Sequence, residues 1–191
     1  MPNKEHYILL ADLFRYPEKD FAENLKKNVV MVYEKFPDFS KDIYAFVQQI
    51  EKKSLSDLEE YYVNTFLLQP VSSLDLGFLL FGNDSKRNEF LISIKGEQSK
   101  VGNYCGNELP DHLPNILTLI AKIKEEEFCE ELSYCLVIPA IKKLKTGFET
   151  TDNYYKYIIE LLLKFLENDF SDCKLEQFQI KVLENKVQTF Q

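Results

Sequence analysis

Apolar residues return every third or fourth position along almost the whole chain, and no stretch shows the alternation of a half-buried strand. Tyr7, Leu10, Ala11 and Phe14 set the pattern, which gathers side chains on one helix face. It stops at Tyr16-Pro17 because proline disfavours a helical residue before it. Ile43, Phe46, Val47 and Ile50 repeat the spacing, and Leu113, Ile116, Leu117, Ile120 and Ile123 repeat it again. Ser54 to Asp57 supply capping residues for a helix carrying Leu58, Tyr61, Tyr62, Thr65 and Phe66. The cleanest stripe runs from Tyr154 through Ile158, Leu161 and Leu162 to Phe165, and Thr150-Thr151-Asp152 is the expected cap. Six glycines and seven prolines in 191 residues are too few to punctuate many hairpins. The expected fold is all-α, a single bundle of roughly eight to ten helices.

Two segments are less regular. Val29, Val30 and Val32 are β-branched, but Lys26, Lys27, Glu34 and Lys35 around them suit a helix better. Pro139 interrupts the run from Leu132 to Leu144, so that helix either kinks or restarts there. From Lys95 to Pro110 the apolar period is lost and three of the six glycines occur. That is long for a connection within a bundle. The chain therefore reads as one domain over 1–191, with an N-terminal half at about 1–95, a hinge loop at 96–110 and a C-terminal half at 111–191.

The formal net charge of −8 argues against a nucleic-acid partner, which calls for clustered lysine and arginine. An anionic membrane surface is disfavoured for the same reason. A basic peptide is the better electrostatic match. The four cysteines, Cys105, Cys129, Cys135 and Cys173, form no CxxC pair and have no zinc-type spacing, so reduced thiols are expected. The N-terminal stretch has only a short apolar run and no small-residue cleavage site, and no segment is long enough to span a membrane. A cytoplasmic protein without membrane insertion is expected.

Two stretches carry the functional signal. CGNELPDHLPN, Cys105 to Asn115, holds Glu108, Asp111 and one of only two histidines, His112, between closely spaced prolines. No nucleophile motif, paired-histidine spacing or glycine-rich phosphate loop accompanies it, so catalytic and metal sets are left empty and no cofactor is expected. A nucleotide-binding or hydrolytic enzyme using Glu108, Asp111 and His112 is the alternative. Helix-start chemistry accounts for Pro110, Asp111 as cap, and Pro114, but not for His112. The second stretch, Ser73 to Phe90, places Leu74, Phe78 and Phe81 on one helical face, with Leu76, Leu79 and Leu80 on the others. Such a helix is either deeply buried or offers a face to a partner.

Together these stretches resemble the TorD/DmsD/NarJ superfamily, cytoplasmic chaperones that mature molybdenum-containing redox enzymes. The G-x-D-x-x-R-x-x-x-L element corresponds to Gly82, Asp84, Arg87 and Leu91, and E-x-P-D-H-L-P to Glu108, Pro110, Asp111, His112, Leu113 and Pro114. LADLFRYP (Leu10 to Pro17) and EEYYVNTFLL (Glu59 to Leu68) are similar to the family's first helix and the helix before its apolar segment. The similarity spans about residues 7–145, and the ELPDHLP form looks most like the nitrate-reductase delta-subunit branch. Gly77 and the lack of tryptophan depart from versions with tryptophans near the apolar segment.

The resemblance implies a non-catalytic chaperone, monomeric or homodimeric. Its implied partner is the N-terminal, twin-arginine-type segment of a molybdopterin oxidoreductase catalytic subunit, held until the molybdenum cofactor is inserted. Between Glu97 and Glu131 eight acids face three lysines, a surplus suited to a basic segment; Glu125 to Glu127 fit a solvated helix end better. The expected peptide-binding set is Glu108 and Asp111 for the basic groups, Leu74, Phe78 and Phe81 for apolar ones, and His112 as a contact beside Asp111. Arg87 and Pro110 complete it.

Overall fold

The computed structural model describes residues 4–68 and 72–180. As the periodicity predicts, the fold is all-helical, and within the described residues the only β-type pairing is one isolated bridge. The helices are α1 (His6–Asp12), α2 (Phe21–Lys35), α3 (Ser40–Ile50), α4 (Leu55–Val63), α5 (Leu76–Phe81), α6 (Lys86–Lys100), α7 (Leu113–Lys122), α8 (Glu126–Glu130), α9 (Ile138–Thr146) and α10 (Tyr155–Asp169). A π-type turn, Glu131–Val137, joins α8 to α9 in one continuous rod. None of these helices is long and apolar enough to cross a membrane.

The two halves of the chain share one core. α1, from the first half, packs chiefly on α7, and α3 packs on α10. α7 is buried from Leu113 to Ile120, as its apolar stripe predicts, and α10 buries Ile158, Leu161, Leu162 and Phe165. Lys164 Nζ reaches Asp42 Oδ2 at 2.6 Å, a polar tie beside the α3–α10 seam. At the C-terminal end of α10, Asp169 lies 2.8 Å from the buried His6 ring nitrogen Nε2. Burial pushes the Asp169 carboxyl up, but the contact with His6 outweighs it and holds the group below its ordinary value.

Local chemistry explains the helix ends. Ser54 and Asp57 form a complete capping box at α4. The valine-rich segment is helical, inside α2. The cap of α10 differs from the expected threonine set. Thr151 Oγ1 is used within the turn, accepting from Asn153 N (3.4 Å), while Asn153 Oδ1 accepts from Tyr155 N (3.0 Å) and the Tyr61 hydroxyl from Tyr154 N (2.8 Å). As the proline predicts, the regular α-helix restarts there: the π-type turn ends at Val137 and Pro139 sits in the first turn of α9. Proline has no N–H for the carbonyl four residues back, that of Cys135. This carbonyl accepts instead from Phe178 N at 2.9 Å. The C-terminal segment is thereby docked, with the Phe178 ring 5.2 Å from that of Phe81.

The segment expected as a hinge, 96–110, is helical as far as Lys100. α6 ends in a Schellman motif: Gly102 takes φ 61°, Asn103 N bonds Gln98 O (2.9 Å) and Gly102 N bonds Ser99 O (3.2 Å). The rest of the connection is pinned. Buried Gln98 donates from Nε2 to Pro110 O (3.0 Å) and Asn115 O (3.2 Å), and Asn115 Nδ2 donates to Leu109 O (2.9 Å). Those bonds tie the connection to the start of α7.

Candidate functional site

The two sequence stretches meet through their backbones. Asp75 and His112 form the antiparallel bridge: Leu76 N donates to Asp111 O (3.1 Å) and Leu113 N to Leu74 O (2.9 Å). Side chains reinforce the join. His112 Nδ1 lies 3.1 Å from Asp75 Oδ1, and Arg87 Nη2 lies 3.6 Å from Asp75 Oδ2. Asp75, which the sequence reading left out of the site, is thus the shared partner of two residues placed in it, His112 and Arg87.

Asp111 does something other than contact a peptide. It is fully buried, and its Oδ2 accepts from Gly77 N at 2.8 Å. Gly77 lies in the first turn of α5, where N–H groups lack helical partners, so Asp111 caps α5 from the far side of the join. It does not cap its own helix, α7, whose N-cap position is His112. Burial pushes the Asp111 carboxyl above its ordinary value, although the Gly77 N–H and Arg87 oppose the shift. The expectation that Asp111 pairs a client guanidinium is corrected: no face of it is accessible.

Gly77 is part of the same contact. A Cβ there would stand 2.8 Å from Asp111 Oδ2, 3.1 Å from Phe90 Cδ1 and 3.3 Å from Arg87 Cγ. Replacing Gly77 by alanine is expected to lower stability by about 1–2 kcal/mol, overpacking outweighing the gain in helix propensity. Urea unfolding measures it, and an unchanged or higher midpoint would contradict the close approach.

The apolar set divides. Leu74 precedes α5 and is buried, so it does not share an exposed face with Phe78. Phe78 is 43 % exposed, with the Arg87 guanidinium 5.5 Å from its ring centre. Phe81 is half-buried between Phe90 and Phe178. Of the expected apolar contacts only Phe78 is open. Pro110 is half-buried, its carbonyl taken by Gln98.

On the other side of the join lies a cavity of about 290 Å³. Three of the four quoted motifs line it: LADLFRYP through Asp12, Arg15 and Tyr16, EEYYVNTFLL through Tyr62, and ELPDHLPN through Glu108, His112 and Pro114. Glu18, Asp20 and Phe21 complete the rim. Four carboxylates and one guanidinium therefore line the cavity; the guanidinium, that of Arg15, is held by Asp12 Oδ1 (3.2 Å) and Thr118 Oγ1 (3.3 Å). Burial raises the Asp12 carboxyl above its ordinary value despite Arg15. The Tyr16 and Tyr62 rings meet edge-on at 5.5 Å, and the Tyr62 hydroxyl donates to Phe14 O at 3.3 Å. Burial, then the Glu108 and Asp75 charges, push the Tyr62 hydroxyl far above its usual value, so it stays neutral.

Of the sequence-predicted residues, Glu108 and His112 line this cavity, whereas Asp111, Leu74, Phe78, Phe81, Arg87 and Pro110 do not. The three groups of the enzymatic alternative accordingly do not converge: Glu108 and His112 face the cavity, while Asp111 is turned into the fold. Asp12, Arg15, Tyr16, Glu18, Asp20 and Tyr62 were missed as site residues. The signal for four of them was present, since Asp12, Arg15, Tyr16 and Tyr62 stand inside the motifs that carry the family resemblance. Among the described residues no group of three or more His, Cys, Asp or Glu side chains is arranged to hold a metal. Compared with known proteins, the chain matches no family model and no curated sequence at a significant level.

Proposed function

We propose that this chain is a cytoplasmic chaperone of the TorD/DmsD/NarJ type, which holds the basic N-terminal segment of a molybdopterin oxidoreductase catalytic subunit during cofactor insertion. One observation carries the reading: three separately quoted motifs converge on a single cavity of four carboxylates and two tyrosine rings. Carboxylates pair a guanidinium, and aromatic faces stack on it. At about 290 Å³ the space suits one or two side chains. An acidic lining also repels the phosphates of a nucleotide, which speaks against the enzymatic alternative. The join between Asp75 and His112 sets the wall of the cavity, so the most distinctive motif acts by building the site as well as by touching its occupant.

The test is co-purification from cells making a molybdenum oxidoreductase. The catalytic subunit is expected to be retained, and to be lost when its N-terminal segment is deleted. Retention unaffected by that deletion would contradict the reading.

A further inference from the structure

Lys4 precedes α1 and reaches the turn between α7 and α8. It is only 8 % exposed, and its Nζ donates to Ile123 O at 3.4 Å and to Cys129 Sγ at 2.9 Å. Cys129 lies in α8, 1 % exposed, with the Ser133 hydroxyl and the Ile120 carbonyl each 4.0 Å from its sulfur. A lysine nitrogen and a cysteine sulfur are thus held in contact, buried, and brought together across 125 positions of sequence.

We propose that Lys4 and Cys129 are a modification site, at which hydrogen peroxide installs a covalent cross-link with one oxygen atom joining Nζ to Sγ. The 2.9 Å separation admits a bridging oxygen with hardly any movement of either side chain. A direct nitrogen–sulfur bond would draw the two atoms well inside that distance. The first peroxide oxidises the thiol: the S–H bond is lost, an S–O bond forms, and sulfenic acid and water result. The second oxidises the amine nitrogen: the sulfenic oxygen bonds to nitrogen, one N–H and the O–H proton leave, and two waters form. Overall one amine, one thiol and two peroxides give the bridge and three waters. Burial excludes bulky thiols that would otherwise trap the sulfenic acid as a mixed disulfide, and the amine is nearer to the sulfur than the Ser133 hydroxyl or the Ile120 carbonyl. The bridge ties the start of the chain to α8 and closes a long loop, which raises stability by restricting the unfolded state.

Peroxide treatment of the intact protein, followed by peptide mapping and thermal melting, tests this. The expected product links the Lys4 and Cys129 peptides with one oxygen gained and two hydrogens lost, is reversed by a phosphine reductant, and melts roughly 5 °C higher. Lys4→Met should abolish the link and leave Cys129 with oxygen additions only. Three results would overturn the proposal: a wild-type protein whose Cys129 stays unmodified or proceeds to sulfinic acid without a link; a linked product lacking the oxygen; or the same Cys129 product in wild type and Lys4→Met.

Discussion

Replacing Asp111 by alanine is expected to lower stability by about 2 kcal/mol and the melting temperature by roughly 6 °C. The loss does not arise from a surface contact. Asp111 is fully buried, and without its carboxylate the Gly77 N–H at the start of α5 has neither a helical partner nor water. Asp111→Asn should stay within about 1 kcal/mol of wild type, because an amide oxygen accepts the same bond. The pair also separates by pH. Burial raises the Asp111 carboxyl above 3.8, so its contribution is fully present below that value and declines as pH rises through the folded value. Wild type should therefore lose ground against Asp111→Asn as pH climbs from the ordinary carboxyl range towards neutrality. A flat difference across that window would show that the carboxylate is not strained by burial.

Reversing the rim charge, Glu18→Lys with Asp20→Lys, is expected to weaken a diarginine peptide about 10–100-fold, mostly through slower association and with a smaller salt dependence. Both side chains are exposed and line the cavity; Asp20 also stands at the N-cap of α2 and accepts from Asn24 Nδ2 at 3.2 Å, so melting should fall by a few degrees at most. Stopped-flow association at two salt concentrations separates this from a folding defect. Equal association rates for the variant and wild type would remove the cavity from the account.

The helices were legible because most bury a regular apolar face. α6 shows why part of the remainder was not. Its buried positions are Phe90, Ile94 and Gln98, four apart, but the third is polar and spends its amide on the Pro110 and Asn115 carbonyls. The hydropathy period therefore stops at Ile94 and the final turn of the helix reads as loop. The α10 cap failed differently, since threonines that could cap were taken by the preceding turn and Asn153 capped instead.

The site was half legible. Residue types and order picked out ELPDHLP and the LDLGFLLFGNDSKR stretch, and these do meet. What local sequence could not tell is that a carboxylate would be buried on a backbone N–H 34 positions away, or that Asp75 would claim His112. Acidic residues in a suggestive motif read as exposed contacts, yet here one of them, Asp111, fastens the scaffold. The cavity is lined instead by Glu108 and by carboxylates in the segment after α1, where Glu18 and Asp20 carry no motif of their own.

The most direct measurement is a calorimetric titration of the protein with a short synthetic peptide bearing two adjacent arginines before an apolar run, set against the same peptide with both arginines changed to glutamine. Binding of the arginine peptide, with loss of at least about tenfold in affinity for the glutamine peptide and in Glu108→Gln, is the predicted result. Equal affinity for the two peptides, or binding of neither, would contradict the claim that this acidic, tyrosine-walled cavity holds a basic segment.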